Sequence, residues 1–282
     1  MDQIETWLTG TKIPVGRSAR SLFDWLTDHG QAFFDAASDA ISAVIGGILA
    51  ALSTPHPLIV TAAFMALTWI LQRRLVPVAI VGAGFAFILN QGYWTETMQT
   101  LTLVLVACIL CMGVGVPIGI AAAHRPRLYA WLRPVLDLMQ TLPAFVYLIP
   151  AIGFFGIGTV TGLFATVVFV LAAPIRLTYL GIAGTPRHLI EAATAFGATP
   201  RQVLWKVELP SAMPQIMAGL NQAIMLSLSM VVITALVGSA GLGVPVMRAV
   251  NTVNSALGFE SGLVIVVVAV MLDQMLRREV PR

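Results

Sequence analysis

Long apolar runs separated by short polar punctuation dominate this chain. Stretches at about residues 57–72, 75–90, 97–122, 134–155, 160–180, 214–237 and 259–276 are almost free of charge, and a membrane-crossing helix needs about 20 mostly apolar residues. The pattern predicts seven spans, the first two short for a crossing. Ahead of them, Phe23, Leu26, Phe34, Ala37, Ile41, Ile45, Ile48 and Leu52 recur at helical spacing, while Asp28, Asp35 and Asp39 lie 4, 11 and 15 residues beyond Asp24. At about 100° per residue these acids fall within roughly 60° of one another, opposite the apolar stripe. This segment is expected to be an amphipathic helix lying in the interface, with Gly30 the one residue able to break it. The uncharged stretch 41–54 leaves a second arrangement open, a buried hairpin with the first span.

Composition agrees with the membrane reading. Of the 282 residues 58% are hydrophobic and 10% charged, and the mean hydropathy is +0.88; a soluble chain of this length would carry far more surface charge. Arg73, Arg74, Arg125, Arg127, Arg133, Arg176, Arg187, Arg201, Lys206, Arg277, Arg278 and Arg282, twelve of the 16 basic residues, fall on one side of the alternation. By the positive-inside rule that side is the cytoplasm, which puts the N-terminus outside and the C-terminus inside. The opening "MDQIETWLTGTKIPVG" lacks the basic start and apolar core of a cleaved signal peptide. Cys108 and Cys111 form a C-x-x-C within an apolar run, with no second pair and no nearby His to complete a zinc site, so they read as packing residues.

One polar stretch breaks the pattern: "EAATAFGATPRQVLWKVELP", Glu191 to Pro210. Thr185-Pro186 and Thr199-Pro200 are N-cap-then-Pro signals, and Gln202 completes a capping-box pattern with Thr199. Gly197 is placed to end the first of two short helices in a left-handed conformation, and Leu209-Pro210 to stop the second before Ser211 caps the next span. An ordered helix pair on the cytoplasmic face suggests a docking site for another protein.

This stretch resembles the EAA loop of ABC-importer permeases in Glu191, Ala192, Ala193, Gly197, Leu209 and Pro210, with Val207 where Ile is commoner. "LDLMQTLPAFVYLIPAIGFFGIG", "RLTYLGIAG" and "LNQAIMLSLSMVVITALVGSAGLG" are similar to the glycine betaine, proline betaine and choline branch of these permeases. The resemblance covers roughly residues 60–276. It implies an all-α membrane protein of the type I ABC-importer permease fold, with about seven transmembrane helices preceded by an extracytoplasmic amphipathic segment. The implied division is a tail over 1–56, two accessory spans over 57–93, and a five-span core over 94–278 with the coupling loop at 183–212.

The same resemblance implies a bacterial inner-membrane location. It also implies a second copy of this chain, two ATP-binding cassette subunits and an extracytoplasmic binding protein as partners. The chain would be a permease subunit rather than an enzyme, with no cofactor of its own; ATP and Mg would be held by the ATPase, and no G-x-x-x-x-G-K-[ST] occurs here. Glu191, Ala192 and Ala193 would enter an ATPase cleft. A quaternary ammonium substrate, glycine betaine or choline, offers no N–H to hydrogen-bond, so aromatic faces would recognise it. The expected pathway residues are Phe145, Tyr147, Asn221, Gln222, Met225 and Ser229, each of which could instead be core or an interhelical hydrogen-bond partner. Gly241 and Gly243 are expected in a short re-entrant or interfacial helix lining an external gate.

Asp137 is expected to pair with Arg133 and Asp273 with Arg277, while His124 reads as an interfacial residue. Two other functional classes would leave different marks in the sequence. An ATP-independent secondary transporter or channel would be expected to show ionisable or unwound sites in matching repeats near the midplane. An intramembrane enzyme needs G-x-S-x-G, paired aspartates or H-E-x-x-H within spans. Neither pattern is found in the sequence.

Overall fold

The computed structural model describes residues 15–276, and every element assigned among them is helical. Helix α1 (Val15–Ser53) is followed by a hairpin of α2 (Pro57–Gln72) and α3 (Leu75–Gln91), then by the long α4 (Trp94–His124). Next come α5 (Pro126–Thr141), a 3-10 turn (Ala144–Tyr147) and α6 (Leu148–Phe155). Helices α7 (Thr159–Val170) and α8 (Ala172–Ala183) follow, then the short α9 (Arg187–Ala195) and α10 (Pro200–Val203). The chain finishes with α11 (Leu209–Thr234), α12 (Gly243–Asn251) and α13 (Ser255–Leu276).

Five stretches are long and apolar enough to cross a membrane: 29–53, 94–124, 159–183, 200–237 and 255–276. The α2 and α3 helices are apolar but shorter, at 16 and 17 residues. The expected span at 134–155 is not one straight helix. Helices α5 and α6 meet at 107°, because Leu142 precedes Pro143 and takes the extended conformation (φ −67°, ψ 133°) that a residue before proline prefers. Nor does Gly30 interrupt α1, which runs unbroken through it. The ring of Phe34 covers that glycine, where a Cβ would lie 2.7 Å from it.

The α1 stripe read from the sequence is the face turned to the rest of the protein. Every apolar residue of the stripe is half-buried, while Asp24, Asp35 and Asp39 are exposed. Ile41, Ile45 and Ile48 pack on Leu103, Val106 and Ala107 of α4. Phe23 and Phe34 stack on Phe154 at centroid distances of 4.8 and 4.5 Å.

The centre of the fold is a three-helix seam of α4, α8 and α11. Small residues let these backbones approach closely, the usual basis of packing in lipid where apolar burial gives little drive. A Cβ on Gly119 would sit 2.6 Å from the Thr178 Cβ and 2.8 Å from the Ile175 carbonyl oxygen, and one on Gly181 would sit 2.9 Å from the Ala212 Cβ. Around this seam, Phe85 and Ile88 of α3, Met98 and Leu101 of α4, Ile224 and Leu228 of α11, and Val264 and Val268 of α13 form the largest buried cluster. Cys108 and Cys111 are free and buried, and the Cys111 thiol donates to the Val167 carbonyl at 3.5 Å.

Candidate functional site

The short helix pair of this polar stretch forms with its own internal fastenings. Helix α9 ends at Gly197, which adopts φ +80°, a region where a side chain is penalised. The Thr199 side chain accepts from the Gln202 N–H, and Gln202 Oε1 accepts the Thr199 N–H at 2.8 Å, so the predicted capping box is complete. Thr185 does not cap α9; its hydroxyl bonds back to the Gly181 carbonyl, and Pro186 occupies the cap position.

Leu209-Pro210 does not stop the second helix either. Residues Leu204–Glu208 form a π-turn in which the Leu209 N–H reaches the Leu204 carbonyl, and the helix continues through Pro210 into α11. The wider turn absorbs the proline, which has no N–H to donate and whose ring would crowd a regular turn.

Glu191 and Ala192 are exposed and Ala193 is half-buried. Around them stand apolar side chains that the sequence reading passed over: Phe196 is 94% exposed, Trp205 68% and Leu189 42%. Two aromatic residues inside the most polar stretch of the chain were the available signal.

His124, the last residue of α4, reaches this element. Its Nε2 lies 2.9 Å from Glu208 Oε2 and its Nδ1 2.9 Å from the Ile120 carbonyl oxygen. Both ring nitrogens therefore face acceptors. Glu208 is buried in the π-turn.

At the opposite end of α4, the buried Leu242 N–H donates to Thr100 Oγ1 at 2.9 Å. Gly241 (φ +121°) packs against the same hydroxyl, where a Cβ would come within 2.6 Å. A Cβ on Gly243 would come within 2.2 Å of the Val231 carbonyl oxygen. Both glycines are thus wedged at the start of α12, the short helix expected there. Among the described residues no group of three or more His, Cys, Asp or Glu side chains could hold a metal ion.

Residues 115–276 match the family model described as "Binding-protein-dependent transport system inner membrane component". The chain belongs to this family of inner-membrane components. Similar relatives include the glycine betaine transport system permease protein OpuAB of Bacillus subtilis (45% identical, 93% of each chain). Another is the glycine betaine/carnitine transport permease protein GbuB of Listeria monocytogenes (42%, 93% of this chain and 94% of the relative). The glycine betaine/proline betaine transport system permease protein ProW of Escherichia coli is 40% identical over 94% of this chain and 75% of its own length. In fold, the chain is similar to a solved inward-facing structure of the MetNI methionine ABC transporter. The TM-score is 0.59 at 21% identity, over 64% of this chain and 92% of that one.

Within this inner-membrane component the expected pathway residues separate. Phe145 is 55% exposed, and Gln222, Met225 and Ser229 follow one face of α11, with Gln222 and Ser229 exposed. Tyr147 is buried and donates its hydroxyl to the Met139 carbonyl across the α5–α6 bend. Asn221 turns toward α13 and donates to Asp273 Oδ1 at 2.9 Å. The partner expected for Asp273, Arg277, lies outside the described residues. Asp137 pairs with Arg176 of α8 at 2.6 Å rather than with Arg133.

Proposed function

We propose that this chain is the transmembrane subunit of an ATP-driven importer for quaternary ammonium compounds, glycine betaine or choline. It would form the pathway with a second copy of itself, couple to two ATP-binding cassette subunits that hold ATP and Mg, and receive substrate from an extracytoplasmic binding protein. The chain itself would carry out no hydrolysis. The observation that carries this reading is the cytoplasmic helix pair, a rigid element presenting Glu191, Ala192 and an almost bare Phe196 to solvent. An apolar side chain held out on an ordered polar loop suits a docking surface.

Relatives named for glycine betaine support the substrate class, as does the chemistry of the open α11 face. Gln222 and Ser229 can meet a carboxylate or hydroxyl, while Phe145 can meet a fixed cation through its ring. Tyr147 and Asn221 would act behind this face, one bracing the bend and the other tying α11 to α13. Gly241 and Gly243 would form the hinge side of the external gate. We place the C-terminus in the cytoplasm and the acidic tail, residues 1–56, outside; the accessory hairpin is 57–93, the core 94–278 and the coupling loop 183–212.

The test is co-purification together with uptake, using the permease expressed with its ATPase and binding protein. Gly197→Val forces a β-branched residue into the left-handed region at a cost of about 1–3 kcal/mol, and Ala193→Trp adds bulk without touching a span. Both variants are expected to insert in the membrane but to lose the ATPase and ATP-dependent uptake of labelled glycine betaine. Wild-type uptake and ATPase recovery in both would refute the coupling role.

A further inference from the structure

Near its two ends α4 is fastened to the two segments that flank α11. At the cytoplasmic end His124 bonds Glu208, the residue immediately before α11 begins. At the other end Thr100 accepts the N–H of Leu242, just beyond the 3-10 turn that finishes α11. Thr100 and His124 are 24 residues apart, which is about 36 Å of helix. Between these fastenings Leu101 and Val104 of α4 share one buried cluster with Ile224 and Leu228 of α11.

We propose that His124–Glu208 and Thr100–Leu242 are positioning contacts that make α4 and α11 a single braced strut. Through it, displacement of the cytoplasmic helix pair would reach the segment carrying Gly241 and Gly243. The inference rests on the coupling role proposed for the loop and adds a route for it. Helix α11 alone is a poor lever: it joins the loop through a π-turn and the outer segment through a 3-10 turn and Gly238 (φ +80°), irregular joints at which a push can be absorbed. A second rod tied across both joints prevents that absorption. The Thr100–Leu242 tie is fully buried, where water does not compete for the partners; at the other tie Glu208 is 8% exposed while the His124 side chain is 46% exposed.

The test uses the permease–ATPase complex in proteoliposomes with its binding protein, recording glycine betaine imported and ATP hydrolysed. Thr100→Val keeps the shape of the side chain and removes the acceptor; Thr100→Ser restores it. His124→Ala removes the donor, and His124→Gln returns one. His124→Ala and Thr100→Val are each expected to retain the ATPase and its hydrolysis while import per ATP falls about tenfold, on the order of one intramolecular hydrogen bond. The Ser and Gln variants should recover most of the ratio. The double variant His124→Ala/Thr100→Val should be no worse than either single one, because opening one joint already frees the strut. Losses that multiply in the double variant, or a wild-type ratio in both single ones, would overturn the strut. A wild-type chain that fails to retain the ATPase would instead sink the coupling role itself, and that result needs no variant.

Discussion

Gly113 and Gly119 lie in the same helix, six residues apart, and the same substitution should move stability in opposite directions at the two. At Gly113 a Cβ meets nothing within 4 Å, so Gly→Ala brings only the gain in helix propensity, up to about 1 kcal/mol. At Gly119 the new methyl would stand 2.6 Å from the Thr178 Cβ and 2.8 Å from the Ile175 carbonyl oxygen. Ordinary carbon contacts lie at about 3.5–4.0 Å, so α4 and α8 must separate by roughly 1 Å along their closest seam. Overpacking of that kind costs about 1–3 kcal/mol, which outweighs the propensity gain. The two variants should therefore differ by about 2 kcal/mol, or roughly 4 °C or more in Tm for a chain of this size. Because both cysteines are buried, a thiol-reactive fluorophore reports unfolding of the detergent-solubilised protein directly. A Gly119→Ala protein that melts at or above Gly113→Ala would refute the packing argument. Since Ile175 contributes a backbone atom, Gly119→Ala/Thr178→Gly should recover only part of the loss.

Other outcomes follow from single residues. Val253 sits at φ +52° with its side chain 87% exposed, so Val253→Gly should stabilise by about 1 kcal/mol in the same melting assay, the left-handed penalty being removed. Asn221→Leu leaves Asp273 without its donor and should destabilise by about 1–3 kcal/mol, whereas Asp273→Asn, which keeps an acceptor facing Asn221, should cost less; equal losses would show that the bond contributes nothing. A reporter fused after Arg74 should be cytoplasmic, and one near Trp94 or at the N-terminus extracytoplasmic. A cytoplasmic N-terminus would make residues 29–53, long and apolar enough for a span, an eighth crossing.

The features legible in the sequence are those set by near neighbours in the chain. Gly197 and the Thr199–Gln202 box are short-range signals, and both formed as read. The two faces of α1 were legible because periodicity alone sorts its residues, but the expected partner of the apolar stripe was the membrane interface, whereas it packs on α4. Proline was harder to read, since its effect depends on what surrounds it: Pro117 lies inside the continuous α4, Pro143 marks a 107° bend, and Pro210 is accommodated by a π-turn. Hydropathy averages over all three alike. Pairings between distant positions were not legible at all. Asp137 finds Arg176 39 residues away and His124 finds Glu208 84 residues away, and only the packing of α8 against α5 and of α11 against α4 decides such meetings.

The α2–α3 hairpin has a consequence for the lipid around it. Helices of 16 and 17 residues are about 24–26 Å long, against a hydrocarbon core of about 30 Å, while the 31-residue α4 nearby extends about 46 Å. Arg73 and Arg74 sit at the tip of the hairpin, so with the hairpin as the two accessory spans proposed above, a bilayer of ordinary thickness would either pinch inward there or let those side chains snorkel out to the headgroups. The protein's rim would then be stepped rather than level. Its annulus should favour short acyl chains on the hairpin side, and membrane thickness becomes a variable that this fold responds to locally.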